Sequence, residues 1–319
     1  AVVKHHLPQD FDDMPLDQRR RLYQQIESAL EPEPDMGWIT GPEFLEPTKD
    51  PDWLITDLIT AAADGGRVLV AGPEKSFKSM FAVGCMVALA SGEPLFNYEP
   101  WSVPEPGDVL AFMGEGGREW NRSRVMRLME GYGFTEEQKL EAVSRLKMAT
   151  VPLGPPERFA LKIEEELKTV QYKLVIVDSL YVFGGQTERS QLASMGTLLV
   201  QWAGICERAG TTLMVVDHFR KNESSLELQS VSGVGASQWA QAWSLMTAKY
   251  GAEDDKATLT VKTGARQSMG GVHRVVITGV MHGAMLSRVE KLAESDVTAD
   301  EIEVLEKERS KMDALINFN

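Results

Sequence analysis

Hydrophobic and polar positions follow different patterns on the two sides of residue 50. From Trp53 onward, short apolar runs rich in Val, Ile and Leu alternate with segments of helical length. This alternation is typical of α/β domains, in which helices cover a mostly parallel sheet. It predicts strands at residues 67–71, 108–113, 145–149, 173–177 and 211–216. It predicts helices at residues 78–91, 118–131, 157–170 and 191–209.

The pattern changes again after residue 234. Short β-like runs at residues 242–249, 257–262, 272–278 and 284–290 are separated by turns that contain Gly, Asp or Lys. These runs predict antiparallel strands that extend the sheet. We therefore expect three parts. The first is an acidic N-terminal extension (1–50), which contains an amphipathic helix at 16–30 and a linker. The second is an α/β domain (51–290), and the third is a charged C-terminal part (291–319) with a helix at 299–316.

Composition narrows the class of protein. A chain of 319 residues with 43% hydrophobic content can bury a full core. It has no apolar run of membrane-spanning length and no secretory signal pattern, so we expect a soluble, cytoplasmic protein without a membrane partner. Cys85 and Cys206 lie in apolar helical patterns, which argues against a disulfide framework. The net charge of −14 argues against an unspecific nucleic-acid coat but leaves room for a local basic channel.

One octapeptide, between the first predicted strand and the first long helix, has the spacing of a phosphate-binding loop. That pattern is G-x-x-x-x-G-K-[ST], and here the chain reads GPEKSFKS. Backbone N–H groups at a helix N-terminus form an anion cradle, a lysine reaches the β- and γ-phosphates, and a hydroxyl holds Mg²⁺. The predicted nucleotide-binding loop consists of Gly72, Pro73, Glu74, Lys75, Ser76, Phe77, Lys78 and Ser79.

Phe77 stands where the pattern has glycine. Glycine permits close backbone approach and unusual dihedral angles, so a larger side chain must point away from the nucleotide. We expect the Phe77 ring to turn into an apolar niche while its backbone N–H stays in the cradle. The alternative is an ordinary strand–turn–helix with Lys78 on the surface.

Two acidic residues follow other predicted strands. Asp178 ends the buried run LVIVD, where ligands bind in open α/β sheets, and it is a candidate for Mg²⁺ coordination. Glu115 lies among glycines after the run VLAFM and is a candidate general base or water-orienting group. The alternatives are an aspartate in a plain turn and a glutamate that caps the helix before Arg118.

A histidine follows a fourth strand. His218 comes directly after the buried run TTLMVVD, where a polar group could contact the γ-phosphate and report its loss to the next loop. His5, His6, His273 and His282 have no comparable position at a strand end. A plain surface histidine is the alternative.

These segments together resemble a known family. Residues from Trp53 to Thr278, with the GPEKSFKS loop and the runs FMGEGGREW, LVIVDSLYVF and TTLMVVDHFRK, look like the RecA-like ATPases of the plasmid RepA helicase type, relatives of DnaB-type replicative helicases. The resemblance implies a RecA-like sheet, ATP and Mg²⁺ bound between adjacent subunits, and hexameric rings that translocate on single-stranded DNA. It implies the same roles for Lys78, Ser79, Glu115, Asp178 and His218.

The resemblance also implies residues that act outside the subunit's own site. A lysine or arginine after a late strand acts on the neighbouring site, and the candidates are Lys262 and Arg266. Their spacing is wider than is usual in the family, and an arginine in an exposed hairpin turn is the alternative for Arg266. The long segment 219–238 corresponds to loops that grip DNA in such rings, with Arg220 and Lys221 as candidate phosphate contacts.

Three functions remain open from the sequence. The first is an ATP-hydrolysing motor of the helicase type that acts on single-stranded DNA in phage or plasmid replication. The second is a recombination-type filament or DNA-dependent ATPase without unwinding. The third is a nucleotide-binding regulatory or scaffold module whose hydrolysis has decayed. All three predict a homo-oligomer, either a hexameric ring or a filament.

Overall fold

The structure is a computed structural model. It describes residues 39–47, 50–150, 156–184, 192–232, 235–250, 255–266, 268–280 and 283–292, and a few positions between 11 and 22. Most of the predicted helix at 16–30, and all of that at 299–316, lie outside the described residues. The chain forms two compact units, Ala1–Asp50 and Pro51–Asn319. In the first, a 3₁₀-helix at Gly41–Leu45 begins at a capping box of Thr40 and Glu43.

The second unit contains a nine-stranded sheet and a small hairpin. The hairpin consists of β1 (Trp53–Ile55) and β2 (Ile59–Thr60). The sheet strands are β3 (Arg67–Gly72), β4 (Val109–Met113), β5 (Leu146–Ala149), β6 (Leu174–Asp178), β7 (Thr212–His218), β8 (Ala242–Tyr250), β9 (Lys256–Ala265), β10 (Ser268–Thr278) and β11 (Leu286–Leu292). Their spatial order is β11-β10-β9-β8-β3-β7-β6-β4-β5.

Helices cover both faces of this sheet. They are α1 (Lys78–Ser91), α2 (Gly117–Gly131), α3 (Glu136–Ser144), α4 (Pro156–Leu167), α5 (Leu180–Phe183), α6 (Leu192–Arg208) and α7 (Ala236–Trp239). Successive side chains of a strand point to opposite faces. Val68 and Val70 of β3 accordingly join the core under α1, whereas Leu69 and Ala71 join the core under α4 and α6. The continuous apolar run of β3 reflects burial on both faces.

The predicted fold class is confirmed. Strands β3 to β8 form parallel pairs, and β8 to β11 form antiparallel pairs, so the sheet is mostly parallel with antiparallel strands added late in the chain. Helix α1 spans the predicted residues 78–91. No helix in the described part of the chain is both long and apolar enough to cross a bilayer.

Of the helices in the described part of the chain, the sequence prediction missed α3, α5 and α7, and α3 is the longest of them. Helix α3 spans only nine residues and buries one of them, Ala142, so its apolar periodicity is weak. The start of α3 nevertheless has a sequence signal, because Thr135 and Gln138 form a capping box. In it, each side-chain oxygen accepts a hydrogen bond from the other residue's backbone N–H. The capping signal, rather than the hydrophobic pattern, predicts this helix.

Candidate nucleotide-binding site

Four of the parallel strands, β3, β4, β6 and β7, carry the predicted site residues at one edge of the sheet. The strand register places Gly72 of β3 beside His218 of β7, and Asp178 of β6 beside Met113 of β4. Because parallel strands share their carboxyl edge, the residues that follow them converge. A cleft of about 360 Å³ lies there and is lined by Lys78, Ser79, Glu115, Asp178 and His218, among others. This volume lies within the range of about 300–1,000 Å³ that is usual for small-molecule sites.

The loop from Gly72 to Ser79 is held by contacts within itself. Pro73 O accepts hydrogen bonds from Ser76 Oγ at 2.8 Å and from Lys78 Nζ at 2.5 Å. Position 72 has room only for a glycine, because a Cβ there would lie 2.2 Å from Met246 O, a backbone atom of β8. The first glycine of the loop pattern therefore lets the loop leave β3 beside its neighbouring strand.

Phe77 adopts the backbone conformation expected of the glycine it replaces. Its φ of 66° and ψ of 15° are left-handed, and it immediately precedes α1. Its ring lies 5.3 Å from the ring of Tyr250 between centroids and packs on the core under α1. Tyr250 Oη also donates a hydrogen bond of 2.6 Å to Lys75 O. The end of β8 thus holds the loop by an aromatic contact and a hydrogen bond.

We expect Phe77→Gly to leave ATP affinity within about threefold of wild type. Glycine relieves a left-handed cost of about 1–2 kcal/mol, while loss of the aromatic pair removes about 0.5–1.5 kcal/mol. Because the ring also packs on the core, its loss outweighs the relief, and Phe77→Gly should have a somewhat lower free energy of unfolding than wild type. Phe77→Ala is the matched control, since it loses the ring but keeps the left-handed cost, and it should be the less stable variant. Nucleotide titration and chemical denaturation measure both, and a tenfold loss of affinity in Phe77→Gly would contradict the expectation.

Lys78 and Asp178 form the charged centre of the cleft. Burial lowers the pKa of Lys78 to about 8, against the attraction of Asp178 and Glu115, which raises it. Burial raises the pKa of Asp178 to about 6, while a hydrogen bond with Ser79 lowers it. The Ser79 side chain and the Asp178 carboxylate are therefore in direct contact at the start of α1. This is the pair of oxygen ligands that the sequence suggested for Mg²⁺.

Glu115 is held over the cleft by a second serine. Ser179 Oγ, next to Asp178 in the chain, donates to Glu115 Oε1 at 3.1 Å. The alternative that Glu115 caps α2 is not supported, because Gly116 is the N-cap residue and no side chain caps the helix there. The carboxylate instead lines the cleft together with Lys78.

His218 lies where β7 adjoins the phosphate loop. Phe219 N donates to Gly72 O at 3.0 Å, and Ser232 N donates to His218 O at 2.8 Å. The segment after His218 is folded back rather than open, because Phe219 pairs with Val231 and Leu226 is buried in the core. Residues 233 and 234 of this segment lie outside the described part of the chain.

The four remaining candidate residues do not line the described part of the cleft. Arg220 and Lys221 are exposed at the start of the folded-back segment. Lys262 forms an ion pair of 2.6 Å with Glu227 of that segment. Arg266 donates from Nε to Ala240 O at 3.0 Å and from a terminal nitrogen to Gln238 O at 2.7 Å. Both candidate trans-acting residues therefore have partners within their own chain.

Several cleft residues were not found from the sequence. The cleft is also lined by Met80 of α1, Trp120 and Arg124 of α2, Tyr250 of β8, and Val280 and Met285 near the β10–β11 turn. Arg124 lies 5.2 Å above the Trp120 ring centroid. Burial lowers the pKa of Arg124, against the attraction of Asp178 and Glu115. For Trp120 and Arg124 a sequence signal exists, because they lie four residues apart on one face of a helix that begins at the last glycine of GEGG.

The donor set fits a magnesium ion held with phosphates rather than a metal caged by protein. Among the described residues there is no cluster of three or more His, Cys, Asp or Glu side chains that could hold a metal alone. Mg²⁺ usually binds one or two protein oxygens together with substrate phosphates and water. Ser79 and Asp178, in contact beside the phosphate loop, match that arrangement.

A comparison with protein-family models matched residues 28–224 to a family described as AAA domain. The match covers more than half of the chain and contains the phosphate loop, Glu115, Asp178 and His218. A search of curated proteins gave no match. With a phosphate loop, a buried aspartate and a strand-end glutamate gathered at one sheet edge, the chain belongs to the AAA-domain family of P-loop ATPases.

Proposed function

We propose that the protein is an ATP-hydrolysing motor of the helicase type that acts on single-stranded DNA. The observation that carries the proposal is the convergence of Lys78, Ser79, Asp178 and Glu115 on one cleft. A nucleotide-binding protein needs only the first three groups. A carboxylate aimed into the same cleft, and held there by Ser179, favours hydrolysis in addition to binding.

The proposed reaction is in-line attack of water on the γ-phosphorus. The water oxygen forms the new bond, the bond to the β–γ bridging oxygen breaks, and Glu115 accepts the water proton, so that ADP and inorganic phosphate leave. Lys78 places its ammonium group against the β- and γ-phosphates. Mg²⁺, held by Ser79 and Asp178, would neutralise developing charge on the phosphates. Most of the acceleration in such sites comes from positioning and electrostatics.

His218 is the proposed γ-phosphate sensor. It adjoins Gly72 of the phosphate loop, and its carbonyl accepts a hydrogen bond from Ser232 at the far end of the folded-back segment. A shift of His218 on loss of the γ-phosphate would therefore be transmitted to the segment that carries Arg220 and Lys221. These two exposed cations are the proposed contacts with DNA phosphates.

Assembly into a hexameric ring or filament is also part of the proposal. A cation contributed by a neighbour would stabilise charge on the transferred phosphoryl group only in the assembly. For Lys262 to act so, it must leave Glu227, and Arg266 must leave two backbone carbonyls. The engagement of both residues within the chain favours a second candidate, a nucleotide-binding scaffold with weak hydrolysis. An assembly mass that stays equal to that of one subunit, with nucleotide and with DNA, would count against the motor.

ATP turnover with and without single-stranded DNA tests the proposal. We expect DNA to stimulate turnover, and the double variant Arg220→Ala/Lys221→Ala to need about tenfold more DNA for half-maximal stimulation. The dependence of that midpoint on salt should become shallower, because fewer counterions are released. Lys168→Ala serves as the control, because Lys168 is an exposed lysine directly after α4 that pairs with Glu164 at 2.9 Å. ATP binding without turnover, with or without DNA, would favour the scaffold.

A further inference from the structure

One wholly buried polar side chain beside the cleft has no role in the proposed reaction. Asn121, in the first turns of α2, is 0% exposed. Its amide nitrogen donates to Glu115 O at 2.8 Å and to Gly117 O at 3.0 Å. The first acceptor lies in the turn between β4 and α2, and the second is the first residue of α2. The side chain of Asn121 therefore closes this turn from inside.

The other end of the Asn121 amide contacts a residue of the cleft lining. Its Oδ1 accepts a hydrogen bond of 3.1 Å from Arg124, whose guanidinium lines the cleft near Glu115 and Asp178. Both amide hydrogens and the amide oxygen of Asn121 are thus engaged. A buried amide used in this complete way specifies one arrangement of its neighbours, since any other arrangement would leave a buried polar group without a partner.

The turn needs such a restraint. Gly116 and Gly117 have φ values of 83° and 69°, and glycine has the largest conformational freedom of any residue. A glutamate that precedes two such residues is not fixed by its own backbone. In the structure Glu115 is fixed at two points, at its carbonyl by Asn121 and at its carboxylate by Ser179.

We propose that Asn121 is a positioning residue that acts through Glu115 and ties its turn to Arg124 in the cleft. The inference rests on the proposed function, because it gives Glu115 the role of general base. Asn121 does not line the cleft, so it affects the reaction by holding Glu115 over the site. A displacement of about 1 Å in a reacting group can cost about 10²-fold in rate.

Two variants of similar size separate the contacts. Asn121→Leu keeps the branched shape and removes all three hydrogen bonds. Asn121→Asp keeps the acceptor for Arg124 and removes both donors to the turn. We expect each to lower kcat by about 10²-fold with the ATP dissociation constant within about threefold of wild type. The control is Arg122→Ala, on the same helix, whose side chain is exposed and pairs with Glu119 at 3.1 Å.

A double-mutant cycle with Glu115→Gln decides whether Asn121 acts through Glu115. If it does, Asn121→Asp should not slow single turnover further once Glu115 is glutamine. Full multiplication of the two effects would overturn the inference, as would kcat within threefold of wild type in both Asn121 variants. Loss of ATP binding in parallel with kcat, or unfolding of both variants, would assign Asn121 a merely structural role and also overturn it. If wild type binds ATP but never hydrolyses it, the proposed function fails and takes the inference with it.

Discussion

Lys78→Ala is expected to weaken ATP binding by about 10²-fold, because a charge-assisted contact with phosphate contributes roughly 1.5–3 kcal/mol. Lys78 is 6% exposed and is held by Pro73 O and Ser76 Oγ, at the bottom of the loop. Burial disfavours the charged form of Lys78 and lowers its pKa to about 8. Phosphate oxygens bound by the loop would lie close to this buried ammonium group and would stabilise its charge. Titration with a fluorescent ATP analogue measures the loss.

The control for this result is Lys249→Ala. Lys249 is an exposed lysine of β8, one position from Tyr250, so its removal changes the net charge equally but leaves the loop intact. ATP affinity in Lys249→Ala should stay within about twofold of wild type, since exposed charges are screened. If Lys78→Ala binds ATP as well as this control does, the phosphates do not lie at the start of α1.

The alternation of apolar runs predicts most of the sheet because each inner strand is buried on both faces. The run from Val68 to Ala71 is apolar at every position and is buried in the two cores. The loop spacing before Lys78 predicts the beginning of α1. Three of the late strands, β8, β9 and β10, are longer than predicted, while β11 has the predicted length but begins two residues later. Strand β9, for example, continues through Gly264 and Ala265 beyond the run at 257–262. A glycine interrupts an apolar pattern, so the sequence predicts that the strand stops before Gly264. In the structure the ring of Trp243 packs directly over Gly264, and the strand continues.

Residues that follow strands are predictable, and residues brought in by tertiary packing are not. Lys78, Glu115, Asp178 and His218 each follow an apolar run, so the parallel sheet alone brings them together. The contact of Tyr250 with the phosphate loop spans 175 positions, and nothing in the local sequence of either segment announces it. Such contacts depend on how far each strand runs, which is the least certain part of any sequence pattern.

The partners of Lys262 and of Arg266 are a second example of contacts that the local sequence does not predict. Sequence spacing presents them as two free cations after a late strand. The structure attaches one to Glu227 and the other to the carbonyls of Gln238 and Ala240, at two points of the segment after His218. Whether a charged residue is available to a neighbouring subunit therefore depends on partners that approach from elsewhere in the chain.

Glu115→Gln should lower kcat by about 10²–10⁴-fold, the usual contribution of a general base, while ATP affinity stays within about threefold of wild type. Glutamine keeps the length of the side chain and an oxygen that can accept the hydrogen bond from Ser179, but it cannot take a proton from water. ATP should therefore stay bound and unhydrolysed, which single-turnover kinetics and equilibrium binding measure separately. Glu119→Gln is the matched control, because Glu119 is exposed in the first turn of α2 and pairs with Arg122 outside the cleft.

The result would also decide between Glu115 and its nearest rival. Asp217 is a wholly buried carboxylate at the end of β7, close enough to Lys78 to raise the pKa of that lysine. If Glu115→Gln keeps kcat within threefold of wild type, Asp217 becomes the better candidate for activating water. Asp217 has no place in the cleft lining, however, whereas Glu115 lines it beside Asp178. A water that attacks the γ-phosphate must lie in the cleft, so the geometry favours a large effect from Glu115.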